Sequence, residues 1–135
     1  MIHVIMGLKG SGKTKKLIDS VNATAATATG VVVCIEYGNK LTFDVKSTVR
    51  LVNSKESGIS NSCMLKGLLS GLHAGNYDIT HVYIDNLYKT IGTDRAVGEE
   101  FILWCAEFAK TNNMEITVTV SDDAALASEA VKAYL

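Results

Sequence analysis

The chain begins with a short apolar run, Ile-His-Val-Ile-Met at residues 2–6, and continues directly into Gly-Leu-Lys-Gly-Ser-Gly-Lys-Thr at residues 7–14. The apolar run ends at Gly7 and predicts a buried strand. Residues 13 to about 28 carry apolar side chains at helical spacing and predict a helix. A strand, a glycine-rich turn and a helix in this order open a strand–helix–strand unit, which indicates an α/β fold.

The residue types of the turn suit a phosphate group. Glycines let successive backbone N–H groups curl around phosphate oxygens, and the following helix start adds partial positive charge. In the pattern G-x-x-x-x-G-K-[ST], the lysine neutralises the β- and γ-phosphates and the hydroxyl residue holds Mg²⁺. We therefore expect a catalytic Lys13, Mg²⁺ on Thr14, and nucleotide contacts from the turn residues Gly7, Lys9, Gly10, Ser11, Gly12, Lys13 and Thr14.

Apolar runs and helical patterns alternate along the rest of the chain. Further strands are predicted at residues 31–37, 48–52, 79–85 and 116–120, and further helices at residues 61–74, 99–110 and 122–134. The alternation predicts a three-layer α/β sandwich with a mainly parallel five-stranded sheet. No linker-like segment divides residues 1–135, so we expect a single domain.

The composition of the 135 residues argues against several classes of protein. Lys and Arg total 13 against 14 Asp and Glu, so the chain lacks the positive charge of a general nucleic-acid-binding protein. The longest apolar run, residues 31–35, is far shorter than the roughly 20 residues of a membrane span. Three cysteines without close spacing, and no leader pattern at the start, favour a reduced, cytoplasmic protein.

The glycine turn between its strand and helix resembles the P-loop NTPase superfamily, and in particular the small RecA-like and thymidine-kinase-like members. The resemblance implies P-loop NTPase architecture with ATP and Mg²⁺ as ligands. The zinc-bearing lasso of thymidine kinases is absent. Similarity to the twitching-motility ATPases is limited to the P-loop, because those proteins are much longer and carry additional acidic and histidine boxes.

Residues 81–85, His-Val-Tyr-Ile-Asp, form a β-rich run that ends in a carboxylate. This run looks like a Walker B strand, and the resemblance makes Asp85 a ligand of the Mg²⁺ shell. Taken alone, an Asp at a strand end also fits a residue that caps the next loop. Many relatives place a Glu after this Asp to prepare the attacking water, whereas this chain has Asn86, which cannot accept a proton.

Two further acidic positions follow from the same resemblance. RecA-like proteins carry their catalytic Glu at the end of the strand after the P-loop helix, which here is Glu36. The alternative for Glu36 is an ordinary charge at a strand end. Those relatives also sense the γ-phosphate from the end of the last strand, near Ser121 and Asp122, although capping of the last helix explains this stretch better.

Phosphoryl transfer often uses an arginine to stabilise negative charge on the γ-phosphate. The chain has only two arginines, Arg50 and Arg95. Arg50 begins a predicted strand and should lie at the opposite end of the sheet. Arg95 falls in the predicted loop after the fourth strand, on the ligand side. Arg95 is therefore the one candidate arginine finger, acting in its own site or in that of a neighbouring subunit.

Together these features predict a protein that binds Mg-ATP and hydrolyses it slowly, or only when a protein partner or second copy completes the site. ATP is favoured over GTP because the chain has no Asn-Lys-x-Asp guanine motif. Two other functions stay open. One is a nucleotide-dependent switch or scaffold that does not hydrolyse ATP, and the other is a small-molecule kinase that lacks a lid.

Overall fold

The computed structural model describes all residues, 1–135, and contains five strands and five α-helices. The strands are β1 (Ile2–Gly7), β2 (Val31–Glu36), β3 (Arg50–Asn53), β4 (Ile79–Ile84) and β5 (Glu115–Ser121). The helices are α1 (Lys13–Thr27), α2 (Ser62–Gly75), α3 (Leu87–Ile91), α4 (Arg95–Thr111) and α5 (Glu129–Lys132), and a short 3₁₀ helix spans Ala124–Leu126. No helix has the length and apolar character needed to cross a membrane.

The five strands form one sheet in the order β1-β5-β4-β2-β3, and every neighbouring pair is parallel. Helix α1 covers one face of the sheet, and α2 and α4 cover the other. The predicted three-layer α/β sandwich is therefore confirmed, with a sheet that is entirely parallel. Because all strands run in one direction, their carboxyl ends meet at one edge, where ligands of open α/β sheets bind.

The two faces of the sheet bury cores of unequal size. The larger core joins Val4 and Val118 of the sheet to Leu69 of α2 and Phe101 of α4. The smaller core lies under α1 and includes Leu17. It is centred on β2 and the loop that follows it, so α1 leaves the same face of β1 and β5 less completely covered.

The structure differs from the prediction in two stretches, residues 86–98 and residues 122–134. Residues after Asp85 were expected to form a loop up to residue 99, but α3 and the first turn of α4 occupy part of this stretch. Helix α4 begins at Arg95 because the Asp94 carboxylate accepts hydrogen bonds from Ala96 N (3.0 Å) and Val97 N (3.4 Å). Arg95 is therefore the first residue of a helix.

The predicted helix at residues 122–134 is wrong, because this stretch divides into the 3₁₀ helix and α5. Asp123 accepts a hydrogen bond from Ala125 N, and Ser128 accepts one from Val131 N. Both residues act as N-caps with extended backbones, and each therefore starts a new element. The Ser-Asp-Asp stretch at residues 121–123 was predicted to cap the last helix, but its Asp123 caps the 3₁₀ helix and the last helix, α5, is capped by Ser128.

Candidate functional site

The glycine turn between β1 and α1 depends on left-handed backbone at two positions. Gly10 has φ +85° and Gly12 has φ +86°, values that side-chain-bearing residues rarely adopt. Gly12 is also the N-cap of α1, and Ser11 N donates to Leu8 O at 3.1 Å inside the turn. The turn therefore presents backbone N–H groups at the start of a 15-residue helix.

Lys13 is the first residue of α1, and its side chain folds back over the turn. The Nζ atom donates a hydrogen bond to Leu8 O at 3.1 Å, and the residue is only 9% exposed. A carbonyl oxygen is a weaker partner for an ammonium group than a phosphate oxygen, since hydrogen bonds between two charged groups are stronger. Lys13 is therefore held where it can exchange this partner for a bound anion.

Thr14 and Asp85 meet at the carboxyl end of the sheet, although they are 71 residues apart. Thr14 Oγ1 lies 3.4 Å from Asp85 Oδ1 and 3.5 Å from Oδ2. Asp85 follows β4 directly and is 9% exposed, and its backbone N–H donates to Ile35 O at 2.9 Å. Mg²⁺ takes oxygen ligands and usually binds through one or two protein groups and several waters, so this hydroxyl and carboxylate fit that ion.

Thr119 was not singled out from the sequence, yet its hydroxyl contacts both Asp85 and the backbone of Asn86. Its hydroxyl donates to Asp85 Oδ1 at 2.8 Å and accepts a hydrogen bond from Asn86 N at 2.7 Å. Thr119 is 1% exposed and lies in β5, between β1 and β4 in the sheet. It therefore fixes the orientation of the Asp85 carboxylate. The signal in the sequence is the alternation of polar and apolar residues along residues 115–121.

An open cleft of about 350 Å³ lies above these residues, and no hydrophobic residue lines it. Three lysines, Lys9, Lys13 and Lys15, contribute to its wall, and Asp85 is the one acidic residue there. Ser121, at the end of β5, also lines the cleft. A polar, cation-rich cleft around a helix N-terminus is suited to a polyanion.

Glu36, at the end of β2, lines a smaller cavity of about 120 Å³ that also includes Thr14 and Asp85. The residue is 5% exposed, and its Oε1 accepts a hydrogen bond from Leu41 N at 3.0 Å. Burial raises the pKa of the Glu36 carboxyl above its usual range, and the negative charge of Asp85 raises it further. The fold thus brings Glu36 to the same edge as Thr14 and Asp85.

Asn86 connects the cavities at this edge. It has a left-handed backbone, with φ +58°, and it lines both the 350 Å³ cleft and the 120 Å³ cavity. Its backbone N–H is fixed by Thr119. The side-chain amide of Asn86 can donate or accept a hydrogen bond, which lets it orient water between the two spaces.

Arg95 lies on the ligand side of the sheet but is paired with Asp122. Its Nε donates to Asp122 Oδ2 and its Nη2 to Asp122 Oδ1, both at 2.8 Å. The Tyr88 hydroxyl also donates to Asp122 Oδ2 at 2.8 Å, and the hydrogen bonds from Arg95 hold the pKa of the Asp122 carboxyl far below its usual range. Burial and the bond to Asp122 raise the pKa of Tyr88 to about 12. The guanidinium of Arg95 lines neither cavity.

Thus the fold gathers the turn residues, Thr14, Asp85 and Glu36 at one edge, and turns Arg95 toward Asp122. Arg50 begins β3 and so lies at the amino end of a parallel strand, opposite the glycine turn, as the sequence predicted. The structure adds that β3 is an outermost strand, beside β2. No protein-family model matches the chain, and no curated protein matches its sequence.

Proposed function

We propose that the protein is a P-loop protein that binds Mg-ATP and hydrolyses it slowly, or on activation by a protein partner or a second copy of the chain. The observation that carries the proposal is the approach of Thr14 Oγ1 to the Asp85 carboxylate, 3.4 Å away, beside the glycine turn. A hydroxyl and a carboxylate at this distance, next to a phosphate-binding turn, suit the Mg²⁺ of a nucleotide.

In this proposal, the backbone N–H groups of the turn bind the phosphates, and Lys13 leaves Leu8 O to bind β- and γ-phosphate oxygens. Thr14 and Asp85 would hold Mg²⁺, which when bound offsets negative charge on the phosphates. Thr119 keeps the Asp85 carboxylate in one orientation through its 2.8 Å hydrogen bond. These groups bind and orient ATP before any bond changes.

The hydrolytic step uses Glu36 as the base. Water attacks the γ-phosphorus, its proton passes to the Glu36 carboxylate, and the bond between the γ-phosphorus and the bridging oxygen of ADP breaks. The raised pKa of Glu36 favours this role, because a general base works best when its pKa lies nearer the working pH. Asn86, which lines both spaces, would orient the water.

Slow turnover follows from two features of the same edge. Asn86 cannot accept a proton at the position where many P-loop proteins have a Glu. Arg95, the candidate finger, has its guanidinium bound by Asp122 at 2.8 Å. A partner or a second subunit would raise the rate by releasing Arg95 or by supplying another cation.

A kinase function is the second candidate, and one observation favours it. A cleft of about 260 Å³, lined by Lys9, Tyr88, Lys89 and Thr93 among others, shares Asn86 and Ser121 with the phosphate cleft. A small acceptor bound there would lie beside the γ-phosphate. The switch or scaffold function requires the same binding residues and negligible turnover.

Phosphate release by the purified protein with Mg-ATP, measured over a range of protein concentrations, separates these functions. We expect slow release by the unaltered chain and none by Lys13→Ala. Binding of ATP without release at any concentration would favour the switch, and ADP formation only with an added acceptor would identify a kinase.

The three free cysteines, two of them buried, support a reducing compartment and hence a cytoplasmic location.

A further inference from the structure

A group of polar side chains without a role in nucleotide binding lies at the other end of the sheet, under α1. In a parallel sheet covered on both faces, both faces are normally apolar. The face of β1, β4 and β5 that packs on α2 and α4 follows this rule. On the α1 face, the same strands carry the polar side chains His3, His81, Glu115 and Thr117 toward their amino ends, and Tyr83 follows in the second half of β4. Met1 and Ile5 add apolar surface beside them.

The strand register puts these residues side by side. Thr117 is paired with His3 of β1 and with Tyr83 of β4, and Glu115 is paired with His81. His3 Nε2 and Glu115 Oε2 are 3.0 Å apart. The five side chains therefore form one continuous polar patch across three strands, at the edge opposite the glycine turn.

A cavity of about 570 Å³ lies between this patch and α1, which makes it larger than the phosphate cleft. Helix α1 contributes Ser20 and Thr24, and Tyr83 closes the floor. The Tyr83 hydroxyl lies 2.7 Å from Thr24 Oγ1 and 3.2 Å from Ser20 Oγ, and Tyr83 is only 3% exposed. This volume falls in the range of small-molecule sites, which is roughly 300–1,000 Å³.

One hydroxyl on the cavity floor, that of Thr117, opens onto the cavity. Thr117 is 9% exposed and lines the cavity, yet its hydroxyl has no hydrogen-bond partner in the protein. The Thr117 hydroxyl is therefore available to a molecule that enters the cavity.

The lining defines the chemistry of that molecule. No Lys or Arg lines the cavity, and the ammonium group of the lining residue Met1 already donates to Met114 O at 2.7 Å, so the lining disfavours phosphates and other anions. His3, His81 and Glu115 do not form a group that could hold a metal ion. The hydroxyls of Ser20, Thr24, Tyr83 and Thr117 can each donate and accept, and a hydroxyl on the ligand matches both capacities, whereas an ammonium group only donates.

We propose that this cavity between α1 and the amino ends of β1, β4 and β5 binds a small, uncharged polyhydroxy compound about the size of a monosaccharide. The site lies at the opposite edge of the sheet from the glycine turn, so it is independent of nucleotide binding. Thr117 donates to or accepts from one ligand hydroxyl, and the free oxygen of Glu115 accepts from another.

The test is a titration of the full chain with D-glucose and with myo-inositol, followed by amide ¹H–¹⁵N NMR without nucleotide. We expect saturable shifts confined to amides around His3, His81 and Thr117, with millimolar affinity. Thr117→Val should weaken binding about tenfold without lowering the melting temperature, because the lost hydroxyl has no partner in the protein. Thr24→Val should also lower the affinity for these compounds. Thr27→Val, on the exposed side of α1, should bind them like the unaltered chain.

Glucose 6-phosphate should bind no more tightly than glucose, and Lys13→Ala should leave glucose binding unchanged. The second result separates this site from the proposed nucleotide site. The proposal is wrong if neither compound gives saturable shifts, if Thr117→Val and Thr24→Val both bind as tightly as Thr27→Val, or if the phosphate ester binds more tightly than glucose.

Discussion

The hydroxyl of Thr119 donates a 2.8 Å hydrogen bond to Oδ1 of Asp85, and this bond joins β5 to the end of β4. Thr14 Oγ1 approaches the same oxygen to 3.4 Å from the start of α1. One carboxylate oxygen is thus contacted by hydroxyls from two elements that are far apart in the sequence. In the proposed site, Thr119 is a positioning residue, because it acts through Asp85.

Thr119→Val removes this hydrogen bond and keeps the shape of the side chain. We expect about tenfold weaker binding of Mg-ATP, which corresponds to roughly 1.4 kcal/mol, and little change in binding without Mg²⁺. Isothermal titration with and without Mg²⁺ measures both affinities. Thr117→Val is the matched control, because it lies on the same face of β5 but outside the phosphate cleft. Equal affinities of the Thr119→Val and Thr117→Val variants for Mg-ATP would show that Thr119 does not position Asp85 for binding.

Glu36→Gln removes the proposed base but keeps an oxygen that can accept from Leu41 N. We expect phosphate release to fall about 10²- to 10⁴-fold, with the affinity for Mg-ATP nearly unchanged. Glu56→Gln, an exposed change in the loop after β3, is the control and should hydrolyse ATP like the unaltered chain. Equal turnover in the two variants would exclude Glu36 as the base.

The pH dependence of hydrolysis provides an independent test of Glu36. A base acts only when it is deprotonated, so kcat/KM should fall as the pH falls through the pKa of Glu36. Because burial raises that pKa above the ordinary value of 4.5, the midpoint of the acidic limb should lie above pH 4.5. The residual activity of Glu36→Gln should lack this limb, and an identical limb in both proteins would assign it to another group.

Asp122→Asn tests the ion pair with Arg95 through stability. The pKa of Asp122 is lowered in the folded chain, so the pair contributes stability above the ordinary Asp pKa of 3.8 and loses that contribution as the pH falls further. We expect a melting temperature lower by about 2–5 °C at neutral pH. The difference from the unaltered chain should shrink below about pH 4.

Arg95→Ala should lower the melting temperature at neutral pH by a similar amount, and the double variant should lose little more, because both changes remove the same pair. Melting curves followed by circular dichroism over a pH series give these values. A difference between Asp122→Asn and the unaltered chain that stays constant down to strongly acidic pH would show that the pair is not its source.

Much of the fold was predictable because its signals are local. The strand, turn and helix of residues 2–27 follow from hydrophobic periodicity and glycine placement, and the structure has β1 and α1 where the sequence predicted them. Helix α2 and strand β4 were also close to prediction, since both carry uninterrupted patterns. The helices at the end of the chain were not predicted correctly. In the sequence, Ser128 is one polar residue within a helical pattern, but in the structure it is the N-cap of α5.

The site was predictable in part for a related reason. The spacing of the glycine motif singled out Lys13 and Thr14, and the resemblance of residues 81–85 to a Walker B strand singled out Asp85. Thr119 has no motif, and its role depends on β5 lying beside β4, a neighbour relationship that strand order decides and local sequence does not. The pairing of Arg95 with Asp122 depends likewise on a contact across 27 residues.

Gly12→Ala tests the backbone of the turn. The alanine must adopt φ +86°, which costs about 1–2 kcal/mol of stability, and we expect loss of detectable ATP binding because the N–H groups of the turn move. Gly71→Ala in α2 is the control, since its Cβ meets no atom within 4 Å and helix propensity predicts a gain of about 0.5–1 kcal/mol. Urea denaturation and ATP titration of both variants check these outcomes. Normal ATP binding by the Gly12→Ala variant would show that the turn does not need this backbone conformation.

In the proposed function, the glycine turn and Lys13 bind a nucleoside triphosphate. The most direct measurement is the melting temperature with and without saturating Mg-ATP, for the unaltered chain, Lys13→Ala and the exposed α1 variant Lys16→Ala. At about 100 times the dissociation constant, binding should stabilise the fold by roughly 2.7 kcal/mol. We predict a rise of several degrees for the unaltered chain and Lys16→Ala, and none for Lys13→Ala. If the melting temperature does not rise with either ATP or GTP, or rises as much in Lys13→Ala as in Lys16→Ala, then the glycine turn and Lys13 do not bind a nucleoside triphosphate as proposed.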